Sequence, residues 1–159
     1  WGQDMDQEVL PFQCNLGYQV PRKKQADYIG KARLEAVRAE LEAGRPPYRN
    51  TLVGMRLGGQ PITDYAPDFW LISDSDAGPP VGYLTSPWFS PELGCNIALG
   101  FVPVGMTAIG TALKVWLPDE YAEVPGVPVD AEVVEVPFRP SVNANAREKA
   151  RAAGRDFAY

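Results

Sequence analysis

The chain has 159 residues and no histidine. That removes the commonest general base, the commonest metal ligand and every Ser-His or Cys-His arrangement. Any catalysis would fall to carboxylates, Tyr, Lys, Arg or the backbone. Few side chains of those types are grouped. Arg22, Lys23 and Lys24 form a short basic run, which by itself reads as a solvated turn. Asp4 and Asp6 read either as surface carboxylates or as turn-fixing groups. Two separated cysteines, Cys14 and Cys95, make neither a disulfide scaffold nor a zinc site, and read as small buried apolar residues. They imply a reduced, cytoplasmic setting.

With 45% hydrophobic and 22% charged residues, the composition is that of an ordinary globular protein. Its length fits one domain, or one domain plus part of another. The net charge of −5 offers no basic field for a nucleic-acid backbone, so that partner is not expected. Apolar runs fall far short of the roughly 20 residues that span a bilayer, so no membrane partner is expected either. The opening Trp-Gly-Gln-Asp has no initiator Met, basic n-region or apolar h-region. It predicts a cropped or processed chain, or a subunit, with no signal peptide in the residues shown.

The elements that would position these groups follow from periodicity. Between Val9 and Val20 the even positions are apolar (Leu10, Phe12, Cys14, Leu16, Tyr18, Val20), which predicts a strand with one buried face, at an edge because of Pro11. Gly30 to Ala43 reads as an amphipathic helix with Leu34, Val37 and Leu41 on one stripe, and Lys31–Glu35 and Arg38–Glu42 as i,i+4 pairs. Gly44 and Pro46-Pro47 stop it. From Asn50 onward the pattern is β. Strands are expected over Thr51–Leu57, Phe69–Ile72, Val81–Thr85, Asn96–Val102, Thr111–Leu117 and Ala131–Val136, with the 16 Pro and 15 Gly falling mostly between them. Asn143 to Gly154 is a weakly helical tail. The fold class is α+β and mainly β: a C-terminal jelly-roll or barrel-like antiparallel domain preceded by one amphipathic helix.

Several blocks carry a family resemblance, in order. WGQDMD leads to LPFQCNLGY; ADYIGKARL, NTLVGMRLGGQP, VGYLTSPWFSPELGCNIALGFVP, GTALKVWL and AEVVEVPF follow. Together, over roughly residues 1–138, they resemble the C-terminal part of the glycine cleavage T-protein (aminomethyltransferase) superfamily. The third of these is similar to the family's R-x-L-V-G-L strand, and the fourth to its V-T-S-G-x-x-S-P-x-L-x-x-x-I-A-L-A-x-V-P hairpin.

The resemblance implies a larger parent that binds tetrahydrofolate in a central channel. Residues 1–29 would end the folate-binding core, 30–44 would be a linking helix, 45–138 the barrel-like domain and 139–159 a tail. The partners implied are an N-terminal folate-binding domain or subunit and a small methyl or aminomethyl donor. The family's folate-gripping Glu and catalytic carboxylate would lie upstream of Trp1, leaving no catalytic residue here. The family's basic residue after the Leu-x-aromatic strand falls at Lys24, with Arg22 and Lys23 as near neighbours. A cation there suits folate's glutamyl carboxylates, although Pro21 and Lys-Lys-Gln depart from the family's Gly-Lys/Arg pattern. Trp1 stands at a family Tyr, and either stacks on a pterin or packs in a core. Thr85, Ser86 and Ser90 are expected to set turn geometry. Trp88, at a position usually held by smaller residues, is expected at the channel mouth or against a neighbouring chain.

Two departures, the DEYAEVPGVPVD segment and the extension after Pro137-Phe138, favour a demethylase-like relative, such as one acting on dimethylsulfoniopropionate, over an aminomethyltransferase. A non-catalytic accessory subunit and a capping domain of a larger folate-linked oxidoreductase are the rival readings. The second would need its flavin site elsewhere, because no G-x-G-x-x-G occurs here.

Overall fold

A computed structural model describes residues 2–65 and 67–139. Seven strands form the sheet: β1 (Asn50–Leu57), β2 (Trp70–Ser73), β3 (Pro80–Leu84), β4 (Trp88–Ser90), β5 (Cys95–Pro103), β6 (Ala112–Trp116) and β7 (Val129–Val134). Neighbours run in the order β1-β7-β6-β2-β3-β5, and β5 pairs back onto β1, so six antiparallel strands close into a barrel. Closure gives each of the six strands a neighbour on both sides along at least part of its length. The seam is its longest ladder, running from Asn50 opposite Pro103 to Leu57 opposite Asn96.

Alternation along each strand fills the interior. Val53, Met55 and Leu57 of β1, Ile72 of β2, Leu84 of β3 and Val102 of β5 meet Leu113, Val115 and Val133 in one core. Leu113, Val115 and Leu117 are all buried, as the period-2 pattern predicts.

Three strand expectations need correction. The stretch where Ser86 and Ser90 are expected to set turn geometry contains β4, three residues bracketed by Pro87 and Pro91 and paired to Cys95–Ile97 of β5. β3 and β4 thus use the same edge of β5 in succession. The last strand is displaced toward the N-terminus: it runs Val129–Val134, not Ala131–Val136. Pro137 has no N–H to give to a ladder. There the chain leaves the sheet, and Val136 and Phe138 fold over the outer side of Gly54, filling the space where a Cβ would sit.

The helix α1 (Lys31–Glu42) forms as expected, with Val37 fully buried. Its two intrahelical pairs are replaced by longer-range partners. Lys31 Nζ donates to the carbonyls of Lys24 and Gln25, Arg38 donates to the Val20 carbonyl at 2.8 Å, and Glu42 pairs with Arg22.

The Val9–Val20 strand is not there. Residues 11–15 are turns and Gly17–Gln19 is one turn of 3-10 helix. The alternation has another origin. β7 reaches β1 only from Gly54 onward, so the start of β1 lacks a strand on that side. Residues 2–20, an arm ahead of α1, supply the missing partners. Leu52 N donates to the Gln13 carbonyl at 2.7 Å, as does Thr51 Oγ1 at 2.8 Å; Gln13 Nε2 reaches the Asn50 carbonyl, and Asn15 Nδ2 the Leu52 carbonyl. Asn15 achieves this at φ 60, a left-handed position that Asn tolerates. The predicted tail helix over Asn143–Gly154 lies outside the described residues.

Candidate functional site

The predicted basic residues have partners of different kinds. Arg22 Nη1 is 3.0 Å from Glu42 Oε1, at the C-terminal end of the helix. Lys24 lies near the other end, its Nζ 5.2 Å from the centre of the Tyr28 ring, a cation–π contact. Arg22, Lys23 and Lys24 are all exposed, as a solvated turn requires. Trp1 lies outside the described residues.

A tighter polar cluster sits where the arm meets the barrel. Asp4 Oδ1 accepts hydrogen bonds from both Thr85 Oγ1 and Ser86 Oγ. Gln3 Nε2 donates to the Thr85 carbonyl, and Gln3 Oε1 accepts from Tyr65 Oη at 3.3 Å. Thr85 is fully buried. Of the expected turn hydroxyls, Ser90 accepts from Leu93 N, and Thr85 reaches the Leu99 carbonyl at 3.1 Å. Asp6 is a turn-fixing group, accepting from Glu8 N at 2.8 Å. Asp4 does more than the sequence implied, joining segments 81 and 82 residues apart. No spacing rule signals such a contact.

An outward-facing row crosses five strands in register: Leu52, Phe101, Tyr83, Leu71 and Trp116. Phe69, Tyr83 and Phe101 form successive ring contacts at 5.3 Å each. Met5, Val9, Cys14 and Leu16 of the arm pack on the Leu52–Phe101–Tyr83 part of this row. Burial pushes the Cys14 thiol above its ordinary value, so it is a poor nucleophile. Burial also raises the Tyr83 phenol, with the Asp6 charge adding to it. Trp88 is half exposed beside Ile97 on the outer surface.

Sequence reasoning also missed Asn96, which is 2% exposed and points inward from β5. Its Oδ1 accepts from Ile62 N, while its Nδ2 donates to the Gly58 and Gln60 carbonyls. One amide side chain thus holds the β1–β2 loop. Beside that loop lies a cleft of about 390 Å³ between residues 60–64 and 120–123. Asp64, Glu120 and Glu123 line it, giving it the wrong sign for an anionic ligand. Among the described residues, no group of three or more Cys, Asp or Glu is placed to hold a metal ion, and no helix is long and apolar enough to cross a membrane.

A closed six-strand antiparallel barrel, strapped by an arm whose Asp4 is latched to Thr85 and Ser86, defines a barrel domain. The glycine cleavage T-protein C-terminal barrel domain family matches residues 50–139, and the chain belongs to that family. It is 34% identical over 145 residues to an aminomethyltransferase of Prochlorococcus marinus, a match covering 90% of this chain and 34% of the relative. An aminomethyltransferase of Listeria monocytogenes is 32% identical over 140 residues, covering 87% of this chain and 33% of the relative. The chain therefore spans about a third of the length of these curated relatives. The crystal structure of glycine cleavage system aminomethyltransferase T from Bartonella henselae superposes with a TM-score of 0.65 at 24% identity, over 87% of this chain and 34% of that one. That likeness carries the fold.

Proposed function

We propose that this chain is the C-terminal barrel portion of a tetrahydrofolate-dependent one-carbon transferase. The observation that carries the reading is the 34% identity along 90% of the chain to an enzyme named aminomethyltransferase. On this reading residues 1–29 finish a folate-binding core, α1 links it to the barrel, and the catalytic carboxylate belongs to the part upstream. The setting is cytoplasmic.

Aminomethyl transfer to tetrahydrofolate is the reaction the relatives' names support best. Methyl transfer from a small donor, a demethylase activity, is the second reading. The long β6–β7 connection favours it, with Tyr121 in that connection seated on Trp70 at 5.1 Å. In either case the folate site holds donor carbon and acceptor nitrogen together, and proximity supplies much of the rate. Lys24 and Arg22, exposed cations between the arm and α1 in sequence, are the candidates for folate's glutamyl carboxylates, and Trp1 the candidate for its pterin.

The test uses the longest natural protein containing this sequence, supplied with tetrahydrofolate and, separately, an aminomethyl-loaded lipoyl carrier or a methyl sulfonium donor. Ammonia with methylene-tetrahydrofolate reports aminomethyl transfer. Methyl-tetrahydrofolate reports demethylation. Absence of folate binding and of both products leaves the accessory reading.

A further inference from the structure

We infer that Asp4 is a positioning residue, gripped by Thr85 and Ser86 so that the chain enters the barrel from the folate side in one fixed direction. This rests on the folate-dependent reading above.

Proton counting assigns the cluster's hydrogen bonds. Thr85 Oγ1 has one proton and two acceptors in reach, the Leu99 carbonyl and the Asp4 carboxylate. The Leu99 carbonyl already accepts from Thr85 N at 2.9 Å and Ser86 N at 3.4 Å. A hydroxyl bond to a carboxylate is also the stronger of the two. The Thr85 proton therefore goes to Asp4, which takes a second from Ser86. Meanwhile Gln3 holds the Thr85 carbonyl and receives Tyr65, and Gly2, at φ 86, closes a turn through its N–H to the Met5 carbonyl at 2.8 Å.

These bonds do a different job from the rest of the arm. Covering the barrel is accomplished further along, by Met5, Val9, Cys14 and Leu16 on the outer row and by Gln13 and Asn15 at β1. Apolar burial is non-directional. The Gln3–Asp4 bonds add direction, and they add it at the end of the arm next to Trp1. On the folate-dependent reading, a device at that place aims the folate-binding part. Its effect should appear in folate affinity, not in the chemical step.

The experiment compares Thr85→Val, Thr85→Ser and Ser86→Ala with the wild type in the full-length enzyme. Thr85→Val keeps the shape and removes the hydroxyl. It is expected to raise the KM for tetrahydrofolate about fivefold, with kcat at saturating folate and the KM for the one-carbon donor little changed. Thr85→Ser restores the hydroxyl and should restore the folate KM. Ser86→Ala, at a half-buried position, should give a smaller shift in the same direction, and it carries the test if Thr85→Val fails to fold. Wild-type-like folate KM values in Thr85→Val, or in Ser86→Ala where that variant carries the test, overturn the inference, as does an equal shift in Thr85→Val and Thr85→Ser. Calorimetry on the wild type separates the two levels. If it binds no tetrahydrofolate, the folate reading falls and takes this one with it. If it binds and the variants bind equally, only the latch falls.

Discussion

The barrel and its arm are held together by different physics. In the barrel, backbone ladders satisfy the polar groups and apolar side chains fill the interior, so each strand is supported by two neighbours. In the arm, residues 2–20 make no ladder. They are held by the backbone bond from Leu52 N to the Gln13 carbonyl, by side chains reaching across at Gln13, Asn15, Asp4 and Gln3, and by a small satellite cluster around Cys14, Leu52 and Phe101. The barrel should therefore open only globally, and the arm locally. Substitutions that respect this division should separate the two in experiment.

The largest effect is expected where the barrel's outer side is sealed. Gly54 has no room for a side chain: a Cβ there would run into Val136 Cγ1 and lie 3.0 Å from Phe138 Cε1. Gly54→Val should destabilise the whole barrel by about 3 kcal/mol, read by thermal melting. A melting curve that does not move would mean that the Val136–Phe138 flap is not seated on β1. Asn96→Leu comes next. It leaves Ile62 N–H and the Gly58 and Gln60 carbonyls without their partner, a loss of about 2 kcal/mol. It should also make the 58–62 loop the first site of proteolysis.

In the arm, Gln13→Ala removes the bond to the Asn50 carbonyl and the one that Leu10 N gives to Gln13 Oε1. The expected cost is about 1 kcal/mol, confined to arm opening. Cys14 reports it directly. Its thiol is buried and its pKa raised by that burial, so labelling by a disulfide reagent should be slow, and slower than at half-buried Cys95. Gln13→Ala should speed Cys14 labelling about fivefold while the barrel melts as before. Equal acceleration at both cysteines would mean that arm and barrel open as one unit.

The same division decided what could be read from the sequence. The β strands were legible because alternation and turn chemistry are local; Leu113, Val115 and Leu117 needed no knowledge of their partners. Closure of the barrel through β1 and β5 is a pairing between strands some forty residues apart, which no local pattern encodes. Phe12, Cys14 and Leu16 misled because their alternation has separate causes, Cys14 and Leu16 resting on β1 and β5 and Phe12 lying under Arg38 of α1. Asp4, Thr85, Ser86 and Asn96 were equally illegible as a set, since each acts on atoms distant in sequence. The family resemblance identified the barrel. It did not signal that Arg22 would pair with Glu42 or that Lys24 would lie over Tyr28.

The smallest effect tests whether surface charge adds to the barrel at all. Lys114 on β6 faces Asp130 on β7, 2.8 Å away, and also reaches Asp76 in the β2–β3 turn at 2.7 Å. Hydrogen bonds to Asp130 and then Asp76 push its pKa from 10.5 up to about 12. The folded value lies above the unfolded one, so the folded state binds the proton more tightly. The contribution is fully present below about pH 10.5 and is lost as pH rises through about 12. Lys114→Met should therefore melt slightly lower than the wild type by a constant margin at neutral pH, and the two curves should converge as pH climbs through that window. Salt at about 1 M, where the screening length falls to about 3 Å, should shrink the same margin. A difference that persists through pH 12 and in salt would show that the long aliphatic stem packed against β7, not the charge, is what Lys114 contributes.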